Sequence, residues 1–96
     1  MKILQKKFLT ELEKISTLSE KVNINNKQKI LEMIKAHSEE IPELYFLKDD
    51  HWAIETADLI ILCFELLINE NKDINFVFEK GIPRFYKKLN ELRKQN

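Results

Sequence analysis

Residues 38–58 read SEEIPELYFLKDDHWAIETAD, and residues 59–68 continue as LIILCFELLI, the most apolar run in the chain. The first stretch holds two groups of carboxylates: Glu39, Glu40 and Glu43, then Glu55 and Asp58. Between them Lys48-Asp49-Asp50-His51 is polar, and Asp49 or Asp50 is placed to cap a helix that follows. This third helix is predicted over about His51–Ile68. From Ala57 it is apolar nearly all round except at Asp58 and Glu65, the pattern of a central, buried helix. Glu55 and Asp58 stand three residues apart and so share a face. Acids set beside a future core either lie on solvated helix faces or converge on a cation.

The neighbouring segments read as helices too. Upstream, Ile30, Ile34, His37, Ile41 and Leu44 keep a helical period that stays in phase across Pro42. Proline removes one helical hydrogen bond and clashes with the carbonyl four residues back. The expectation is a second helix over 27–41 that kinks, or stops near Glu39 and restarts. Leu4, Phe8, Leu12, Ile15, Leu18 and Val22 mark one face of a first helix over 3–22, and Asn23–Asn26 (NINN) break it. After the connector Asn69–Asp73, with Asp73 as a cap, a fourth helix over 74–94 is predicted. Gly81 and Pro83 interrupt it, and Phe85, Leu89 and Leu92 form its last stripe. One glycine and two prolines leave little turn chemistry for hairpins. The expected fold is therefore all-α: a single domain, residues 1–96, that is four-helix bundle-like around a long apolar third helix.

Bulk composition narrows the function. The 96 residues are 44% hydrophobic and 33% charged, which suits one folded domain. Sixteen basic and sixteen acidic residues give zero net charge, against general nucleic-acid binding, although residues 84–94 are locally basic. A single cysteine, Cys63, excludes an intramolecular disulfide and points to a reducing compartment, and its place in the apolar run predicts a core thiol. The N-terminal segment has no apolar signal core, and Leu59–Leu67, broken by Glu65, is too short to span a membrane, so a cytoplasmic protein is expected. His37 and His51 are fourteen apart with no cysteine partner, a poor zinc pattern, and His37 reads as a residue at the core border. A lone glycine excludes a Gly-rich phosphate loop.

Magnesium is a hard cation that takes oxygen ligands in near-octahedral geometry. Carboxylates three or four apart on two packed helices can surround it, and the ion relieves the repulsion among them. Glu39-Glu40-Ile41-Pro42-Glu43 fits E-E-x-x-E, and Glu55-Thr56-Ala57-Asp58 fits E-x-x-D, with eleven residues, 44–54, between them. With the apolar helix that follows and the segment from Asp73 to Lys80, this arrangement resembles the MazG-like, all-α nucleoside triphosphate pyrophosphohydrolases over residues 29–85. The resemblance implies that Glu39, Glu40, Glu43, Glu55 and Asp58 hold Mg2+. It implies that Glu40 and Glu43 also serve catalysis, orienting the attacking water, and that Lys80 contacts phosphate. The implied reaction cleaves a nucleoside triphosphate into monophosphate and pyrophosphate. Trp52, three residues before the second motif, reads as a core-edge aromatic, with stacking on a substrate base as the alternative. The apolar girth of residues 59–68 predicts a homodimer built around the third helix. The competing reading is a small helical interaction or immunity-type protein with no chemistry, its acids solvated or paired with Lys27, Lys29, Lys35 and Lys48.

Overall fold

The computed structural model describes residues 5–23 and 27–95, arranged as four helices: α1 (Lys6–Asn23), α2 (Lys27–Phe46), α3 (Trp52–Asn69) and α4 (Ile74–Gln95). No strand occurs among the described residues, so the fold is all-α as expected. Leu4 and the turn residues Ile24–Asn26 lie outside the described residues. The breaks expected at the prolines do not end either helix. α2 continues through Pro42 to Phe46, and α4 through Gly81 and Pro83 to Gln95. Pro42 frees the carbonyl of Ser38, but both residues are exposed, so water can take the hydrogen bond that the helix loses.

The two inter-helix turns that frame α3 are built alike. At the end of α2, Lys48 takes φ 60°, and the Asp49 N–H donates to the Leu44 carbonyl at 3.0 Å. At the end of α3, Asn71 takes φ 58°, and the Lys72 N–H donates to the Leu67 carbonyl at 2.9 Å. Each is a left-handed residue closing a helix by a six-to-one hydrogen bond, made here without glycine. At the start of α3 the Asp49 side chain accepts the His51 N–H at 3.0 Å, while His51 itself occupies the cap position without a side-chain cap bond. Asp73 caps α4 as expected, accepting the Phe76 N–H at 3.2 Å.

α3 packs against each of the other three helices, most extensively against the antiparallel α2. Its seam with α2 holds buried Ile30 and Leu62. Ile34, Ile41 and Leu44 are partly covered on α2, as their period predicted. Across from it, α1 contributes Leu12, which packs with Phe64 and Ile74. Phe64 meets Phe8 edge-on at 6.1 Å and Phe78 at 5.9 Å, and the Ser16 hydroxyl donates to Asn69 Oδ1 at 2.8 Å. The face that α1 buries is rotated from the expected stripe. Leu9, Leu12, Ser16 and Ser19 turn inward, whereas Ile15, Leu18 and Val22 are exposed. α3 also keeps one open side, bearing Ile60 and Cys63. Cys63 is thus a surface thiol rather than the core thiol its neighbours suggested, because no helix among the described residues covers that side. No helix among the described residues is long and apolar enough to cross a membrane.

Candidate metal centre

The antiparallel α2–α3 pairing brings His37, one turn beyond Met33, against the first two turns of α3. Its ring places Nδ1 2.8 Å from the Met33 carbonyl oxygen. A carbonyl can only accept, so Nδ1 carries the proton and donates. Nε2 is left facing α3, free to hold a second proton or a cation. It stands 3.1 Å from Glu55 Oε2 and 3.8 Å from Asp58 Oδ2. The three side chains offer ligand atoms that all lie within 4.8 Å of one another. Ligands of a Mg2+-sized ion sit about 2.0–2.1 Å from it, and hence about 3–4 Å apart. The observed spacings are close to that range.

Glu55 is the pivot of the cluster. Its side chain is only 13% exposed, and His51 Nε2, one turn earlier, lies 3.2 Å from its Oε1. Oε2 is buried without a hydrogen-bond partner, although His37 Nε2 is near. The ring nitrogen therefore approaches the carboxylate without an aligned N–H···O bond. A buried carboxylate oxygen with no donor is costly, and a cation between Glu55, Asp58 and His37 would satisfy it. Asp58 is about half exposed, which leaves the centre open to solvent on one side. Two carboxylates supply oxygen ligands suited to Mg2+, so the residues fit a divalent ion. The imidazole nitrogen extends the fit to borderline ions such as Mn2+.

The other residues singled out from the sequence are placed as follows. Glu39, Glu40 and Glu43 are all exposed on α2, and none belongs to the group formed by His37, Glu55 and Asp58. Trp52 is half-buried at the hairpin end, its ring edge-on to Tyr45 at 5.5 Å. Lys80 is exposed on α4, with its ammonium 5.6 Å from the centroid of the Phe76 ring. Sequence reasoning set His37 at the core border and missed its part in the cluster. The signal was available: His37 occupies the inward period of α2, three residues before Glu40, on the helix that precedes the one carrying E-x-x-D. Glu65, two turns beyond Asp58, is 4% exposed with Oε1 unpartnered, but it lies outside the cluster. No protein-family model matches the chain, and no curated protein or solved structure does.

Proposed function

We propose that the chain is a MazG-like nucleotide pyrophosphohydrolase, which uses a divalent cation to cleave a nucleoside triphosphate into monophosphate and pyrophosphate, and that it acts as a homodimer. The observation that supports this reading best is Glu55, the first residue of E-x-x-D. Its buried Oε2 lacks a donor and lies beside Asp58 and His37 at the α2–α3 seam. A bound cation would supply charge stabilisation on phosphate and a more acidic water. Within the chain, Glu55 and Asp58 would hold that ion and His37 would help to hold it from α2. Glu40 projects from α2 one turn beyond His37, on the solvent side, where Glu40 and Glu43 would orient water. Lys80 would contact phosphate, and Trp52 would border the base. The homodimer rests on apolar surface that one subunit leaves open.

The test is pyrophosphate release from each nucleoside triphosphate in the presence of Mg2+ or Mn2+. Wild-type protein should release it, and Glu55→Gln and Asp58→Asn should not. Wild-type protein that releases none, and whose unfolding midpoint ignores both cations, would remove the reading. A non-enzymatic helical interaction module would then take its place.

A further inference from the structure

We propose that the apolar stripe of α4 is covered by α4 of a second copy of this chain, the two helices packing antiparallel as a short coiled coil. The proposal deepens the homodimer part of the reading above and is independent of its enzymatic part.

Every residue from Gly81 to Gln95 is exposed, so this half of α4 stands clear of the rest of the subunit. An isolated helix of about 12–15 residues is marginal in water, and Gly81 and Pro83 weaken it further. Something must support it. Phe78, Ile82, Phe85, Leu89 and Leu92 follow each other at spacings of four, three, four and three, the heptad pattern of a helix that packs on another helix. The last four are 39%, 62%, 49% and 56% exposed. Beside them runs an apolar groove of about 520 Å³. At Gly81 a Cβ would meet nothing within 4 Å, so the groove is open there to a partner's side chains.

The size of the subunit points to a second copy as the occupant. Its accessible surface is 7913 Å², whereas a compact monomer of this mass exposes about 5,800 Å². The excess is more than twice the roughly 800 Å² per partner that a standard interface buries. The radius of gyration is 15.7 Å, against about 12.5 Å for a compact chain of this length. Charge sets the orientation. Lys80, Arg84, Lys87 and Lys94 fall on the side away from the stripe, and only Lys88 and Arg93 flank it among the basic residues. A parallel pair would set Lys88 against Arg93 of the other helix. The antiparallel register that seats Phe85 on Leu89 and Ile82 on Leu92 brings Glu79 within about half a turn of Arg93 on both sides of the pair and Tyr86 near its own copy, and sets a single Lys88 pair together, a smaller repulsion than the two Lys88–Arg93 pairs of the parallel form.

Sedimentation velocity on the full chain over roughly 1–100 µM, a range that spans ordinary dimer affinities, tests this. Wild-type protein should be a dimer. Phe85→Lys and Leu89→Lys, changes at positions already exposed in the subunit, should each weaken the dimer at least about a hundredfold while the α1–α3 helicity persists by circular dichroism. Ile60→Lys on the open side of α3 should leave the dimer intact. Tyr86→Cys in a Cys63→Ser background should form an interchain disulfide. A dimer that survives both α4 variants but is lost in Ile60→Lys overturns the α4 surface while keeping the homodimer. A dimer in which Tyr86→Cys does not crosslink overturns the antiparallel register. A wild-type monomer overturns the proposal and the homodimer together, and sedimentation of that monomer with anionic vesicles would assign the basic, apolar α4 to a membrane surface instead.

Discussion

His37 Nε2 stands 3.1 Å from Glu55 Oε2, across the seam between α2 and α3. The two side chains come from segments eighteen residues apart, and each is held by its own helix: His37 by the Met33 carbonyl and Glu55 by His51 one turn before it. This contact ties the apolar packing of the hairpin to the only group of side chains among the described residues that is arranged to hold a cation.

His37→Ala should therefore have two effects. Loss of the partly buried imidazole removes its packing at the α2–α3 seam and its hydrogen bond to the Met33 carbonyl, which should cost about 0.5–1.5 kcal/mol of stability, measured by urea unfolding without metal. It should also reduce the gain in unfolding midpoint that Mn2+ gives wild-type protein, and reduce the gain from Mg2+ less, because nitrogen ligation favours the softer ion. Equal Mn2+ responses in wild type and variant would show that His37 is a fastening residue alone.

Metal binding has a thermodynamic signature of its own. An ion that binds only the folded chain stabilises it by about 2.7 kcal/mol at a hundredfold excess over Kd. Asp58→Asn keeps the side-chain shape and removes one charge, so its melting curve should respond to millimolar cation far less than the wild-type curve does. If wild type ignores the cation and Asp58→Asn melts at the same temperature or higher, no metal site exists at this seam.

Glu65 should behave in the opposite way to Asp58. It is 4% exposed and its Oε1 has no partner, a position where a carboxylate costs stability unless something pairs with it. Glu65→Leu should raise the urea midpoint, by about 1–2 kcal/mol of unfolding free energy. A clear loss of stability would mean that Glu65 has a stabilising partner in the assembled protein.

Leu12 is 1% exposed, the most deeply buried large side chain among the described residues. Leu12→Ala should cost about 2–5 kcal/mol through lost burial and the cavity left behind. Because the core of the subunit is small, much of its cooperative thermal transition should go with it. An unchanged melt, followed by far-ultraviolet circular dichroism, would show that α1 contributes little to the fold.

The sequence by itself determined the helices. Apolar residues at spacings of three and four, with little glycine or proline, made four helices the only regular structure open to this chain, and the capping by Asp73 was legible because it depends on residues three apart. Period also identified the inward residues of α2, since a helix presents them on one face whatever it packs against. What tertiary structure decided was which faces meet. α1 turned Leu12 and Ser16 inward and left Ile15, Leu18 and Val22 outside, and α3 kept Cys63 at the surface. Burial on an apolar helix depends on how many neighbours surround it, and local spacing does not carry that number. The candidate centre divides in the same way. Glu55 and Asp58 could be paired from the sequence because they share one helix, whereas His37 joins them only because α2 folds back along α3 through its Lys48 turn. Glu39, Glu40 and Glu43 were equally visible as a motif, yet Glu39 and Glu43 lie on the side of α2 away from His37, and Glu40, although one turn from His37, is left exposed as well.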